Sequence, residues 1–359
     1  MSLQATTVNP GDTKSADLDV SVKELTAETS SHWDAFVETC PNATFFHLAG
    51  WKQVIERSFG HRAYYLYAES GGEILGVLPL VHINSRLFGN ALMSTPFCAY
   101  GGVASANEDV TSQLEAAACK LADELNVDYL EFRNREVRHP DWPTKELYVT
   151  FRKTMQADAE ANMMSIPRKQ RAMVRKGIKA GLSGDFDGST EAFYSAYSQS
   201  LHSLGTPVCS RKYYECLQEV FGDKCDILII KDDGELVGGV MNFYFRDEVL
   251  PYYGGGTPIA RQLKGNDFMY WELMRRSCER GLKVFDYGRS KQGTGSYSFK
   301  KNWGFEPTPL YYEYYLVRAR QMPNVSPTNP KYHFFINIWK RLPLSVTRLV
   351  GPLLARNLG

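Results

Sequence analysis

The sequence predicts an α+β protein built from two copies of one unit, followed by a basic, aromatic tail. Three observations carry that expectation. First, four landmarks recur in the same order. Trp51-Lys52-Gln53-Val54-Ile55-Glu56-Arg57-Ser58-Phe59-Gly60 aligns with Tyr213-Tyr214-Glu215-Cys216-Leu217-Gln218-Glu219-Val220-Phe221-Gly222, an offset of 162 residues from 51 to 213. Gly72-Glu73-Ile74-Leu75-Gly76 repeats at the same offset as Gly234-Glu235-Leu236-Val237-Gly238, Tyr100-Gly101-Gly102 returns as Tyr253-Gly254-Gly255, and Leu130-Glu131-Phe132 as Phe285-Asp286-Tyr287. Second, each copy places a Gly-Glu turn between two strand-like runs, as a tight hairpin requires. Third, each copy then shows an amphipathic stripe and a short apolar strand. Together these describe a duplicated sheet-and-helix layer.

The elements follow in order. A helix ends at Phe59-Gly60 and its copy at Phe221-Gly222. Strands are predicted at 63–68 and 225–231, then across the turn at 74–82 and 236–245, with a third leading through Tyr-Gly-Gly in each unit. Leu114, Ala118, Leu121 and Leu125 form one helical stripe, and Phe268, Trp271, Met274 and Cys278 the other. Closing strands fall at 129–132 and 284–287. The predicted organisation is a flexible N-terminus over 1–18, domains over 19–150 and 151–320, and a tail over 321–359.

Length and composition agree. At 359 residues the chain suits two domains of about 150 residues each. Its 43% hydrophobic and 23% charged residues are those of a soluble globular protein. A formal charge of +1 excludes a nucleic-acid binder in the bulk electrostatic sense, so any charge argument is local. The seven cysteines are scattered and never spaced CxxC, which predicts neither a zinc site nor a disulfide framework and fits a reducing compartment. Met1 to Val20 lacks an apolar signal core, and no run of ~18 apolar residues occurs. The expected location is cytoplasmic, with peripheral contact at the inner membrane through the tail as a further expectation.

The closing stretch of the second unit, Asp286-Tyr287-Gly288-Arg289-Ser290 followed by Tyr297-Ser298-Phe299-Lys300-Lys301-Asn302-Trp303-Gly304-Phe305, resembles the D-[FY]-G-R-S … [FY]-x-F-K-x-x-[FW]-G signature of FemAB-like and BioF2-like acyltransferases. The segment from Arg168 to Gly181 resembles the basic helix, ending in Lys-Ala-Gly, that opens the second domain in that family. The resemblance spans most of residues 30 to 316. It implies two tandem GNAT-like (acyl-CoA N-acyltransferase-like) domains, the second catalytic. The tail, from Asn329-Pro330-Lys331-Tyr332 through Trp339-Lys340-Arg341 to Ala355-Arg356, is similar to that of FemAB relatives associated with exopolysaccharide and exosortase (PEP-CTERM) loci. The implied activity is transfer of an acyl or aminoacyl group to an amine of a cell-envelope precursor, either a peptidoglycan stem peptide or a sugar of an exported polysaccharide. The implied co-substrate is acyl-CoA or aminoacyl-tRNA, with no metal and no permanently bound cofactor. The alternative is a non-catalytic membrane-surface assembly factor for polysaccharide export that retains the fold.

Amide formation needs an amine relieved of its proton and a carbonyl oxygen stabilised as it becomes anionic. The resemblance implies Lys300 for the oxyanion, with the preceding Phe299 holding the ammonium by a cation–π contact; the plainer reading of Lys300 is a surface lysine beside a glycine turn. Asp286 either orients Arg289, accepts the amine proton, or forms only a structural ion pair. Tyr252 and Tyr253 are candidates to line the acyl pocket or to protonate a leaving group, and Tyr297 is a candidate to bind substrate. The glycines at 254–256 permit close approach of a ligand or mark a bulge or splay between strands. In acetyl-CoA-dependent members of the GNAT class, the start of the second unit's helix holds [QR]-x-x-G-x-[GA], whose N–H groups bind pyrophosphate. Here Gln262 and Gly265 match, whereas Asp267 is expected to repel phosphate. The matching stretch of the first unit, Asn107-Glu108-Asp109, is acidic.

Arg168, Arg171, Arg175 and Lys179 share one face of the predicted basic helix, with Lys169 and Lys176 beside them and Val174 and Ile178 expected to face the core. The stripe is either a solvated face or a site for an anionic partner: the phosphate of a nucleotide- or lipid-linked sugar, or the acceptor end of tRNA. After Glu313 no acidic residue occurs, while seven Lys and Arg residues and several large apolar ones do. Such a tail either lies on an anionic membrane or folds back onto the first domain.

Overall fold

The computed structural model describes residues 19–85, 88–323 and 330–358, so the N-terminal stretch 1–18 lies outside the described residues. The first unit contains β1 (Ser21–Glu24), α1 (Ser30–Thr39), α2 (Gly50–Phe59), β2 (Arg62–Ser70), β3 (Glu73–Ser85), β4 (Gly89–Ser94), β5 (Ala104–Ser105), α3 (Glu108–Glu124) and β6 (Tyr129–Asn134). Then come β7 (Thr144–Thr154), α4 (Ala159–Ser165), α5 (Arg168–Lys179), β8 (Ser183–Asp185), α6 (Thr190–Leu204) and α7 (Arg211–Phe221). The second unit continues with β9 (Cys225–Asp232), β10 (Glu235–Phe245), β11 (Glu248–Gly256), α8 (Ala260–Leu263), α9 (Gly265–Glu279), β12 (Val284–Asp286), β13 (Ser290–Lys291), α10 (Gly295–Asn302) and β14 (Pro307–Leu316). Two helices, α11 (Pro330–Arg341) and α12 (Leu344–Ala355), form the tail.

All fourteen strands among the described residues join one sheet, ordered β1-β2-β3-β4-β6-β14-β7-β12-β11-β10-β9-β8, with β5 on β3 and β13 on β7. The two halves of that order mirror each other. Each unit is an antiparallel meander that ends in one parallel pair, β4 with β6 and β11 with β12. The duplication read from the sequence is therefore present, and α3 and α9 cover equivalent faces through Leu114 and Ala118 and through Phe268, Trp271 and Met274. The centre of the sheet is exchanged. β7 follows the first unit in sequence but pairs with β12 of the second, at Asp286↔Arg152. β14 ends the second unit but pairs with β6 of the first, at Tyr312↔Arg133. β7 and β14 pair with each other, and the expected boundary at 150/151 falls within β7.

The repeated helices α2 and α7 pack against each other about the same pseudo-two-fold. Trp51 meets Phe221 with ring centroids 5.2 Å apart, and the reciprocal pair, Phe59 and Tyr213, lies at 4.9 Å. Arg57 and Glu219 occupy the same position of the repeat and form an ion pair of 2.6 Å. A self-complementary contact of this kind is what a two-fold dimer interface shows. Gly50 is required there, since a Cβ would come within 2.9 Å of both Phe221 and Val220. Phe45 stacks on Phe243 at 4.5 Å and extends one apolar core through both units.

The 135–139 loop fastens β14 to the first unit. The backbone N–H groups of Arg138 and His139 donate to Glu313 Oε1 at 2.8 and 3.1 Å, and His139 Nδ1 lies 3.0 Å from Glu313 Oε2. Burial disfavours the His139 imidazolium, yet hydrogen bonds and charge from Glu115 and Glu313 outweigh it and raise the group to about 9. The folded protein therefore holds this proton more tightly than the unfolded chain. The resulting stabilisation is complete below pH ~6.5 and is lost as pH rises through about 9. His139→Gln should remove that slope from denaturant-unfolding curves recorded across the same range.

Candidate functional site

Strand β12 ends where the sheet opens. Its parallel pairing with β11 covers only Glu248↔Val284 and Val249↔Phe285, after which the two strands diverge. β11 carries a bulge at the same level: Met241 faces Tyr253 and Asn242 faces Pro251, leaving Tyr252 as the extra residue. A bulge re-aims side chains, and here the rings of Tyr252 and Tyr253 pack on each other at 4.7 Å and both contact Phe243. Tyr252 donates to the Phe97 carbonyl at 2.9 Å, and Tyr253 shares a 2.7 Å hydrogen bond with Tyr213 amid Tyr197 and Tyr214. The following glycines are close-packed: a Cβ would lie 2.6 Å from the Tyr270 hydroxyl at Gly254, 2.7 Å from Ser200 at Gly255 and 2.5 Å from Ala260 at Gly256. Their smallness serves the packing of α6, α8 and α9 against the sheet.

The turn after β12 is held from two sides. On one face Asp286 is fully buried and accepts from the Tyr100 hydroxyl, from Gly288 N–H at 2.8 Å and from Thr150 at 3.4 Å, with Arg152 Nη1 at 3.7 Å. Arg152 also pairs with Glu248. From the other side the Lys300 ammonium donates to the carbonyls of Tyr287, Gly288 and Arg289 at 2.6, 3.0 and 3.0 Å. Burial pushes Lys300 down to about 7, while three carbonyl oxygens around Nζ favour its charged form. All three ammonium donors are therefore engaged, and the nearest aromatic faces are those of Phe151 and Tyr287. Phe299 instead packs on Tyr270 and Trp303, and Tyr297 meets the edge of Phe151.

The turn so fixed delivers Arg289 into a cleft of about 180 Å³. Arg289 Nη1 donates to the Tyr312 hydroxyl at 2.7 Å, and its guanidinium lies 4.9 Å from the centre of the Tyr148 ring. The opposite wall holds a buried ion pair, Arg133 Nε to Glu131 Oε1 at 2.8 Å, with the Tyr314 hydroxyl donating to Glu131 Oε2 at 2.7 Å. Burial opposes the Glu131 carboxylate, but Arg133 and Tyr314 prevail and its pKa is lowered. Lys145 completes the lining; burial lowers its pKa. Three cationic side chains thus face one carboxylate, a local excess of positive charge in a cleft floored by strands of both units.

Of the expected residues, the structure brings together Asp286, Arg289 and Lys300, with Tyr252 close by. It sets apart the basic helix and the residues at the start of α9. Arg168, Arg171 and Arg175 form a shallow cationic surface on α5 with Lys176 and Lys179. The core side of α5 is Gln170, Val174 and Gly177; Ile178, expected inward, is 47% exposed, because the inward stripe passes through Gly177, where Phe268 packs. At α9 the Asp267 carboxyl turns inward to accept from Gln170 and, at 3.2 Å, from Trp303. The expected repulsion of phosphate by Asp267 therefore falls away, since burial raises its pKa and its oxygens face the core. Gly265 packs on Val237, Gln262 is exposed, and Lys264 supplies no side-chain cap, leaving first-turn N–H groups of the kind that bind phosphate. In the first unit Asn107 caps the matching turn itself, accepting from Asp109 and Val110.

Arg133, Glu131, Lys145, Tyr148, Tyr312 and Tyr314 were not singled out by the sequence reading. A signal existed: an acid and an arginine two residues apart in a short apolar strand share a face, and burial demands that they pair.

Residues 168–301 match the acetyltransferase (GNAT) domain family, and the fold is that of tandem GNAT proteins, so the second unit carries a GNAT-type domain within a duplicated fold. Among similar solved structures are FemX (14% identity, TM-score 0.64, covering 83% of this chain and 98% of that one) and a tandem GNAT protein from the clavulanic acid biosynthesis pathway (13%, 0.52, 82% and 98%). A third is L-PGS from Bacillus licheniformis (14%, 0.51, 89% and 96%). A search of curated protein sequences finds no match. Among the described residues no helix is long and apolar enough to cross a membrane, and no group of three or more His, Cys, Asp or Glu is placed to hold a metal.

Proposed function

We propose that the protein is an N-acyltransferase that moves an acyl or aminoacyl group onto an amine of a phosphate-bearing cell-envelope precursor, a peptidoglycan stem peptide or a sugar of an exported polysaccharide. The observation that carries this reading is Arg289, clamped by Asp286 and Lys300 and aimed into a cationic cleft beside the opening of a GNAT-type sheet. Arg289, Arg133 and Lys145 suit an anionic acceptor, because guanidinium and ammonium donors form strong, charge-assisted hydrogen bonds to phosphate.

For the donor, acyl-CoA is the expectation that a GNAT domain raises, and the residues fit it. The uncapped start of α9 suits a pyrophosphate, and Tyr287, whose buried hydroxyl finds no partner among the described residues, stands beside Tyr270 at the opening between β11 and β12. A buried hydroxyl without a partner is costly, and a donor carbonyl or amide would satisfy it. In the reaction the acceptor amine attacks the thioester carbon, the C–N bond forms, the C–S bond breaks, and the thiolate leaves with the amine's proton. Tyr287→Phe should weaken binding of the acyl donor by about five- to tenfold, the worth of one neutral hydrogen bond, and leave the unfolding temperature unchanged. An unaltered donor affinity, measured by calorimetry, would remove Tyr287 from the site.

An aminoacyl-tRNA donor is the other reading, favoured by the cationic face of α5. Reversing charge at Arg168, Arg171 and Arg175 should then abolish tRNA binding and flatten its salt dependence. Binding insensitive to both would leave the face merely solvated. A non-catalytic assembly factor is favoured by one feature, the full engagement of Lys300 by main-chain carbonyls. Failure of the purified protein to turn over any CoA or tRNA donor would support it.

A further inference from the structure

The two tail helices distribute their side chains against the usual rule. In α12 the small residues Thr347, Gly351 and Ala355 point inward, and Gly351 lies so near the Val208 main chain that a Cβ would come within 2.9 Å of its carbonyl oxygen. The large residues point outward: Val346, Leu349 and Leu353, at i, i+3 and i+7, are exposed, Leu349 to 77% and Leu353 to 64%. A helix that merely covers a core does the reverse. α11 adds exposed Phe335 and Ile338, and Leu204, next to the Gly205 that α11 packs on, is 63% exposed.

The face is held firmly in place. Arg348 Nε donates to Ser198 at 2.9 Å, His202 Nε2 lies 2.9 Å from the Leu342 carbonyl, and Arg356 donates to the Phe59 carbonyl at 2.6 Å. Its charge is one-signed: no acidic residue follows Glu313, and Lys340 and Arg341 are exposed where α11 meets α12. Two such faces brought together would set like charges against each other, which disfavours self-association.

We propose that the outer face of α11 and α12 docks the protein on an anionic lipid surface, lying in the plane of the interface. Leu349, Leu353 and Phe335 enter the acyl boundary, and Lys340 and Arg341 meet the headgroup phosphates. Asn357 and Leu358, just beyond α12, line the cleft that holds Arg289, so docking sets that cleft beside the bilayer. The proposal is independent of the acyl-transfer reading, because it is read without turnover.

The test is sedimentation of the full chain with vesicles of phosphatidylcholine alone and of phosphatidylcholine mixed with phosphatidylglycerol. The expected result is binding to the mixed vesicles that falls with salt, weakens at least about tenfold in Leu349→Asn/Leu353→Asn, and loses its preference for phosphatidylglycerol in Lys340→Glu/Arg341→Glu. Both pairs are solvent-facing, and their unfolding temperatures serve as the control. The proposal is overturned if the wild type ignores the mixed vesicles at low salt, if the leucine pair binds as well as wild type, or if light scattering shows a dimer that the leucine pair dissociates.

Discussion

Replacing Arg289 by alanine is expected to lower kcat/KM for a phosphate-bearing acceptor by about 10²- to 10³-fold, equivalent to ~3–4 kcal/mol of lost transition-state stabilisation. The loss should be confined to the acceptor half of the reaction. Arg289 lies in the cleft, whereas the proposed donor groups lie at the start of α9 and around Tyr287, so donor affinity should stay near the wild-type value. Its partner Tyr312 also donates to the Ala99 carbonyl at 2.7 Å, so the substitution strands no buried hydroxyl and the fold should survive. Arg289→Lys should recover part of the activity, since the charge returns but the planar fork does not. Steady-state kinetics with saturating donor make the measurement. An alanine variant within about threefold of wild type would show that the cleft does not hold the acceptor.

The second large effect concerns stability. Asp286→Ala should cost about 3–5 kcal/mol, because it leaves Tyr100 and the Gly288 N–H without their acceptor in a buried place and takes from Arg152 one of the two carboxylates beside it. For a chain of 359 residues that corresponds to a fall of roughly 4–7 °C in Tm. Asp286→Asn should cost much less, since the amide oxygen can still accept from Gly288 and from one of the other donors. The pair of variants separates two roles. If Asp286 accepted the amine proton, the asparagine variant would fold well and lose nearly all turnover. If Asp286 positions Arg289, the asparagine variant retains activity in proportion to its stability.

Much of this architecture is legible in the sequence, and the reason is local. The hairpin turns at 71–73 and 233–235, the helix ends at Gly60 and Gly222 (φ 68° and 50°), and the stripes of α3 and α9 each depend on residues a few positions apart. The exchange of β7 and β14 is not legible. Their alternating side chains say that they are strands, but nothing local says which edges they fill. The same limit governed the site. The Asp-Tyr-Gly-Arg-Ser turn points to Arg289, whereas Lys145, Tyr148 and Tyr312 reach the cleft only through strands that cross between the units, and Arg133 on β6 meets them only because β14 pairs beside it. Lys300 was legible as a lysine with a task. The three carbonyls that surround it depend on how the 287–289 turn folds back.

The crossing of β7 and β14 also sets a schedule for the ribosome. The strand beside β6 spans Pro307–Leu316, so the amino-terminal half emerges with an open edge and waits until those residues have been translated. During that wait β6 offers unpaired backbone groups to any passing chain. The nascent protein therefore completes its two halves together, and not one after the other.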